Sequence, residues 1–168
     1  MAESRNPIYT AQAHVTGGRA EGHGRTSDGA LEVDLRLPKE MGGDDGGTNP
    51  EQLFAVGYAA CFESALGTVA RRRRQEAGDV AIDSRVMLVP TADRRFKLAV
   101  TLAVKLPSIA DSHEAVDLVR EADRLCPYSN AIRGNVDVSV TANGHQLEEA
   151  SERQAALARG ESGSAAAG

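Results

Sequence analysis

Apolar and polar residues alternate in five segments of the chain, which is the pattern of strands with one buried face. The alternation is strictest in residues 94–106, RRFKLAVTLAVKL. The other segments are residues 8–15, 30–37, 80–89 and 135–142. A pair of glycines, Gly17 and Gly18, ends the first segment, and a glycine-rich acidic loop follows the second. The pattern therefore predicts several short strands.

The segment NPEQLFAVGYAACFESAL, residues 49–66, has a helical pattern instead. It is apolar on every side, which predicts a central helix covered by other elements. Its start offers two good caps. Thr48 and Glu51 have the spacing of a capping box, and Asn49 precedes a proline suited to the first turn.

A second helix is predicted from a cap at Asp111 or Ser112, with an apolar stripe that extends to Cys126. Pro127 ends this helix or bends it. The order of elements is strands, a helix, two strands, a helix and a strand, which predicts an α+β fold. We expect one domain over residues 1–142. Residues 143–168 form a C-terminal extension, with a loose helix over 146–159 and disorder over 160–168.

Composition and charge exclude several classes of function. The 168 residues are 41% hydrophobic and 26% charged, which is ordinary for a globular protein. A net charge of −5 and an aromatic content of 4% argue against a nucleic-acid surface. The N-terminus shows no secretory signal, and the apolar run from Leu53 to Phe62 is shorter than the ~20 residues of a membrane span. We therefore expect a cytoplasmic protein without a nucleic-acid or membrane partner.

The chain has only two cysteines, Cys61 and Cys126, which are 65 positions apart. In a reducing compartment a static disulfide is not expected, so the pair is either buried core or redox-active. A structural zinc site lacks a ligand set, and no metal is expected. A Cys–His hydrolase stays open on composition because the chain contains four histidines, at positions 14, 23, 113 and 145.

Three segments near these cysteines carry a resemblance to a known family. They are GTNPEQLFAVGYAACF around Cys61, CPYSNAIRGN from Cys126, and VTGGR ending at Arg19. In this order and spacing they closely resemble the organic hydroperoxide resistance proteins, the Ohr branch of the Ohr/OsmC family. The CPYSNA form resembles Ohr rather than OsmC. The resemblance covers roughly residues 7–142 and implies the OsmC-like fold, with sheets around two central helices in an intertwined homodimer.

The resemblance implies a thiol-dependent peroxidase that reduces organic hydroperoxides to alcohols. Cys61 is the implied peroxidatic cysteine, Cys126 the resolving cysteine, and Arg19 and Glu51 the activating pair. Because a thiolate is the nucleophile and burial disfavours it, a cation must depress the pKa of Cys61. An arginine held by a carboxylate suits that role. The implied reductant is an external dithiol, dihydrolipoyl groups on carrier proteins, and no cofactor is needed.

Some of these roles have alternatives. Glu51 could serve only as a helix cap, and Phe54 and Tyr128 either line the substrate channel or pack in the core. An OsmC-type peroxidase with another substrate preference, or a cysteine-based peroxide sensor, is the rival function. Glu51 and Cys61 are ten positions apart on one predicted helix, roughly 15 Å along its axis. This spacing favours an active site in which Glu51, with or without Arg19, comes from the partner subunit.

Overall fold

The computed structural model describes residues 6–147 of the chain. This part belongs to two compact units, of which the first ends at Phe54 and the second begins at Ala55. Each unit has its own sheet, and together the units contain helices and strands in the mixed order of an α+β protein. The predicted fold class is therefore confirmed. The predicted domain limits, 1–142 and 143–168, stay predictions.

The first unit contains a three-stranded antiparallel sheet in the order β1-β2-β3. Its strands are β1 (Ala13–Thr16), β2 (Gly22–Thr26) and β3 (Glu32–Arg36). A one-turn helix, α1 (Gly18–Glu21), joins β1 to β2, and a short 3-10 helix, Lys39–Met41, follows β3.

The hydrophobic pattern of the sequence predicts only some of the elements of the first unit. The predicted strand over residues 8–15 is wrong in its first half, because pairing begins at Ala13. Neither α1 nor β2 was predicted. The β2 segment, GHGRT, has two glycines and no apolar side chain, so it carries no alternation for sequence analysis to detect. Its place in the sheet comes from backbone pairing with two neighbours.

The long helix α2 (Pro50–Arg73) starts in the first unit and continues into the second. Asn49 caps it, because its Oδ1 accepts a hydrogen bond from the Gln52 N–H at 2.9 Å. Six side chains of α2 are buried, namely Tyr58, Phe62, Ala65, Leu66, Val69 and Ala70. Val56, however, is 72% exposed, so the predicted full cover of this helix is not present in the single chain.

Among the described residues, α2 is the one helix long and apolar enough to cross a membrane, with a hydropathy of 1.4. The core helix of a soluble protein meets the same criterion of length and composition, so this finding assigns no membrane span. The expectation that the chain has no membrane partner stays a prediction.

The second unit contains a four-stranded sheet in the order β4-β5-β6-β7. The strands are β4 (Ala81–Pro90), β5 (Phe96–Lys105), β6 (Asp137–Ala142) and β7 (His145–Gln146). The β5–β6 pair is parallel and the other two pairs are antiparallel. Strands β4, β5 and β6 lie where alternation predicts them. The two-residue strand β7 was missed and lies beyond the predicted end of the domain.

Two helices connect β5 to its parallel neighbour β6. They are α3 (Ser112–Leu125) and α4 (Pro127–Ile132), and Cys126 separates them. Asp111 is the cap of α3, since its side chain accepts from the Glu114 N–H at 2.8 Å. The apolar stripe of α3 is buried with the alternating face of β5. Arg73 near the end of α2 also donates to Glu121 of α3 at 2.8 Å, which links these two helices.

The remaining fold-level predictions fall outside the structure. The predicted disorder over residues 160–168 lies outside the described residues, as does the predicted helix over 146–159 from residue 148 onward. The intertwined homodimer stays a prediction, because the structure contains one chain.

Candidate active site

The two cysteines are neighbours in the second unit. The Sγ atoms of Cys61 and Cys126 are 3.7 Å apart, and both residues are free thiols. Cys126 is fully buried, whereas Cys61 is half-buried. A separation of 65 positions in sequence thus becomes a contact between two sulfur atoms. Such a contact is the arrangement expected of a dithiol that can close to a disulfide.

Helix geometry explains how each sulfur is placed. Cys61 lies within the continuous helix α2, which fixes its backbone. Cys126 lies at the joint between α3 and α4, with φ −63° and ψ 121°. Its N–H donates to the Ala122 carbonyl at 2.8 Å and its carbonyl accepts from the Asn130 N–H at 3.0 Å. Helix α3 ends at Leu125, just before Pro127, as the sequence predicts. Pro127 is then the first residue of α4.

The pKa of the Cys61 thiol is raised above its ordinary value. Burial is the largest cause, and it is opposed by a backbone hydrogen bond with Tyr128. Cys126 raises the pKa further, through its hydrogen bond and through charge repulsion between the two sulfurs. The surroundings that act on the thiol in this chain therefore favour the protonated form. The depressed pKa expected from the sequence requires a cation beside the sulfur.

Arg19 and Glu51 form an ion pair within the first unit. Arg19 Nη2 donates to Glu51 Oε1 at 2.8 Å, and the two side chains are 35% and 18% exposed. Because Asn49 caps α2, the carboxylate of Glu51 is available for the arginine. Glu51 therefore forms an ion pair in the first turn of α2, and its role in an activating pair stays a prediction.

The backbone around Arg19 depends on glycine. Gly17 and Gly18 have φ values of 71° and 62°, in the left-handed region that glycine adopts at no steric cost. A Cβ at Gly22 would lie 1.9 Å from the Gly18 carbonyl oxygen, so this tight turn also excludes alanine. The glycines that end the first predicted strand thus also build the turn that presents Arg19.

Sequence analysis missed Met41 as a neighbour of the ion pair. Arg19 Nη1 donates to Met41 Sδ at 3.8 Å, and Met41 is 42% exposed. A thioether is a weak, neutral acceptor, so it contacts the guanidinium without cancelling its charge. No local sequence pattern could have linked Met41 to an arginine 22 positions earlier.

Sequence analysis also missed a buried polar pair beside the cysteines. Tyr58 Oη and Ser129 Oγ are 2.9 Å apart, and both residues are buried. The ring of Tyr128, 40% exposed, lies 6.1 Å from the ring of Tyr58. A hint was present in the sequence, because Tyr58 and Ser129 are each three positions from a cysteine.

The remaining candidates are placed but not tested as a site. Phe54 is half-buried at the end of the first unit, and the exposure of Tyr128 is compatible with a channel wall. Their role in binding substrate stays a prediction. Within residues 6–147, no group of three or more His, Cys, Asp or Glu side chains is arranged to hold a metal ion. The structure thus brings the four predicted catalytic residues together as two pairs, one in each unit.

Comparison with known proteins identifies the family. The model of the OsmC-like protein family matches residues 42–141. An organic hydroperoxide resistance protein of Xanthomonas axonopodis pv. citri (strain 306) is 47% identical over 84% of this chain and 99% of that protein. The organic hydroperoxide resistance protein OhrB of Bacillus subtilis (strain 168) is 45% identical over 79% of this chain and 96% of that protein.

Solved structures agree with this assignment. The crystal structure of an organic hydroperoxide resistance protein from Legionella pneumophila has a TM-score of 0.76 at 50% identity, covering 80% of this chain and 97% of that one. That of OhrB from Bacillus subtilis has a TM-score of 0.73 at 44% identity, covering 80% and 98%. The chain therefore belongs to the OsmC-like family and, within it, to the organic hydroperoxide resistance proteins.

Proposed function

We propose that this protein is a thiol-dependent peroxidase that detoxifies organic hydroperoxides. The observation that carries the proposal is the 3.7 Å contact between the Sγ atoms of Cys61 and Cys126, one half-buried and one fully buried. Relatives named for organic hydroperoxide resistance, at 45–47% identity over most of the chain, supply the class of substrate.

In the first step, the Cys61 thiolate attacks one oxygen of the hydroperoxide. The O–O bond breaks, the sulfur becomes a sulfenic acid, and the alkoxide takes a proton and leaves as an alcohol. Cys61 is suited to this attack because it is the less buried of the two thiols. Cys126 is suited to the second step because it is shielded from solvent and lies next to the first sulfur.

Arg19 is proposed to supply the cation that the Cys61 thiol needs. Its guanidinium keeps its charge at every relevant pH, and its fork of donors can hold the peroxide while charge develops on the leaving oxygen. Glu51 holds that guanidinium in place through the 2.8 Å ion pair. The raised pKa of the Cys61 thiol in the single chain is a reason why such a cation is needed.

In the second step, the Cys126 thiol displaces hydroxide from the sulfenic acid, so that a Cys61–Cys126 disulfide and one water form. This protects Cys61 from further oxidation. An external dithiol, in our proposal a dihydrolipoyl group, then reduces the disulfide by exchange and leaves as its own cyclic disulfide. The steps balance without a bound cofactor, and we place them in the reducing cytoplasm.

The complete site is proposed to form in a homodimer. Val56 on α2 is 72% exposed, an apolar side chain that a second copy of the chain would cover. Ten positions of α2 separate Glu51 from Cys61. In the proposed dimer, the Arg19–Glu51 pair of one chain serves the cysteines of its partner, which gives two sites per dimer.

The proposal is tested by steady-state turnover with excess dithiol. We expect many equivalents of cumene hydroperoxide to be consumed per protein, with lipoamide a better reductant than glutathione. We expect kcat/KM for cumene hydroperoxide to exceed that for hydrogen peroxide, because burial of an alkyl group gains about 25 cal/mol per Å². Consumption of a single equivalent would instead indicate a cysteine-based sensor. Equal kcat/KM values for the two peroxides would contradict an alkyl-binding site.

A further inference from the structure

Each cysteine has a hydroxyl-bearing residue three positions away, and these two residues bond to each other. Tyr58 precedes Cys61 by one helical turn of α2, and Ser129 follows Cys126 in the first turn of α4. Tyr58 Oη lies 2.9 Å from Ser129 Oγ. This hydrogen bond therefore joins the two cysteine-bearing segments in addition to the contact between the sulfurs and the backbone hydrogen bond of Cys61 with Tyr128.

The hydrogen bond is shielded from water. Tyr58 is fully buried and Ser129 is 2% exposed. The Tyr58 ring also packs edge-on against Phe62 with 6.4 Å between centroids, and it lies beside Tyr128 at 6.1 Å. Because both residues are buried, removing either hydroxyl deletes this bond at a place shielded from solvent. The contact should therefore persist while the chemistry proceeds.

Disulfide formation requires the two sulfurs to move closer. They are 3.7 Å apart as thiols, and a disulfide bond is about 2.05 Å long. Cys61 lies inside a continuous helix, whereas Cys126 lies at the non-helical joint between α3 and α4. Closure by movement at this joint would displace α4 relative to α2. The Tyr58–Ser129 bond holds these two helices together at a point one turn from each sulfur.

We propose that Tyr58 and Ser129 are positioning residues for closure of the Cys61–Cys126 disulfide. This inference rests on the proposed function. The pair takes no part in breaking the O–O bond. It limits the movement of α4 when the Cys126 thiol attacks the Cys61 sulfenic acid, a step that forms the S–S bond and releases water. Without the bond, α4 samples more positions, and the effective concentration of the Cys126 thiol at Cys61 falls.

Loss of this restraint should slow disulfide closure and shift the equilibrium between dithiol and disulfide towards the dithiol. A typical buried hydrogen bond accounts for a factor of about 3 to 10, so we expect disulfide closure to slow by about that factor. The dithiol form gains more freedom than the cross-linked form, so the disulfide also becomes less favourable. A tenfold change corresponds to a reduction potential about 30 mV less negative.

The test compares Tyr58→Phe, Ser129→Ala and the double variant with the parent protein. Closure is followed after one equivalent of cumene hydroperoxide by trapping the remaining sulfenic acid with dimedone. The reduction potential is measured in dithiothreitol redox buffers. We expect both single variants to close slowly and to have a less negative potential. The double variant should be no slower than either single one, because both remove the same bond.

Two further variants separate positioning from general packing. Ser64→Ala removes a hydroxyl three positions after Cys61 that bonds only within α2, to the Ala60 carbonyl at 2.9 Å, and should behave as the parent does. Ser129→Thr keeps the hydroxyl and should restore most of the closure rate. If Tyr58→Phe does not fold, the comparison of Ser129→Ala with Ser129→Thr decides.

The outcomes separate this inference from the function on which it rests. A parent protein that forms no Cys61–Cys126 disulfide in the redox buffers would overturn the proposed function. A parent that forms it, with Tyr58→Phe and Ser129→Ala unchanged in rate and potential, would overturn the positioning role alone. Slowing in Ser64→Ala as large as in Ser129→Ala would overturn it as well.

Discussion

Arg19 and Glu51 are 32 positions apart in the sequence, yet Nη2 of the arginine lies 2.8 Å from Oε1 of the glutamate. The two side chains are partly exposed, so water weakens the energy of their ion pair. The pair therefore adds little to folding stability, at most about 1 kcal/mol. We expect its importance to be geometric, because it fixes the direction in which the guanidinium presents its remaining donors.

The first prediction separates this geometric role from stability. Glu51→Gln should lower kcat/KM for cumene hydroperoxide by about tenfold, while the free energy of unfolding changes by no more than about 1 kcal/mol. Arg19→Lys should lose more activity, on the order of 10²-fold, because a point charge does not replace a planar fork. Asp83→Asn, which removes the exposed Lys105 ion pair of 2.7 Å, is the matched control and should keep full activity. Equal losses in Asp83→Asn and Glu51→Gln would contradict the assigned role.

The second prediction concerns the turn that presents Arg19. In Gly22→Ala, the added Cβ would lie 1.9 Å from the Gly18 carbonyl oxygen, so the backbone next to Arg19 must shift. We expect a marked loss of activity and destabilisation of about 1–3 kcal/mol. Gly24→Ala, two residues along the same strand, is the control. In the part of the chain that the structure describes, its Cβ meets the side chains of Val15 and Val33, at 3.5 and 3.7 Å, and activity should be retained.

The sequence predicted those elements whose hydrophobic pattern reflects burial. Strands β5 and β6 and helices α2 and α3 are in this class, because each of them buries apolar side chains in the second unit. Strand β4 also belongs here, because its alternate residues are half-buried. Elements held mainly by backbone geometry were missed. Strand β2 reads GHGRT, and α1 depends on left-handed glycines, so neither has an apolar face to recognise.

In the candidate active site, too, some residues could be identified from the sequence and others only from the folded structure. Motif resemblance selected Cys61 and Cys126, and the structure brings their sulfurs into contact. The resemblance also selected the Arg19–Glu51 pair. It did not select Met41 or Ser129, because their partners lie 22 and 71 positions away and are defined only by folding. The direction of the Cys61 pKa shift was likewise a matter of three-dimensional surroundings.

The third prediction assigns the order of the two cysteines. Cys61→Ser should lower peroxide turnover on the order of 10³-fold or more, since the thiol that attacks the peroxide is lost and Cys126 is fully buried. Cys126→Ser should react once with peroxide and then stop, because no thiol is left to form the disulfide. Mass spectrometry should show sulfinic acid at Cys61 of that variant when peroxide is in excess. Exchanged phenotypes would reverse the assignment.

The fourth prediction follows from the raised pKa of the Cys61 thiol. A thiol must lose its proton to react, so alkylation by iodoacetamide rises as the pH passes through the pKa. In Arg19→Gln, where the proposed cation is absent, the midpoint for Cys61 should lie above that of an unperturbed cysteine. The parent protein should have a lower midpoint than Arg19→Gln. Identical midpoints would show that Arg19 does not act on the thiol.

Substitution of Cys126 provides a second test of the raised pKa of the Cys61 thiol. Its hydrogen bond and charge both raise the pKa of Cys61. In Cys126→Ala, the alkylation midpoint of Cys61 should therefore move to lower pH than in the parent protein. A midpoint that moves upward would contradict this account.

The last prediction concerns Tyr128 and the size of the substrate. A Cβ added at Gly57 would lie 3.4 Å from Tyr128 Oη and 3.5 Å from its Cε2, an ordinary contact. Gly57→Ala should therefore be tolerated and should raise helix stability by up to about 1 kcal/mol. The larger side chain in Gly57→Leu must displace the tyrosine ring. If Tyr128 lines the substrate channel, this variant should lose more kcat/KM for cumene hydroperoxide than for hydrogen peroxide.

The control for this effect is Gly67→Leu on the same helix, where, within residues 6–147, the Arg71 side chain at 3.5 Å is the group near the built Cβ. A leucine there can displace that flexible side chain without reaching Tyr128. We therefore expect the ratio of kcat/KM for the two peroxides to change in Gly57→Leu and to stay at the parent value in Gly67→Leu. Equal ratios in all three proteins would remove Tyr128 from the channel and leave it a packing residue beside Tyr58.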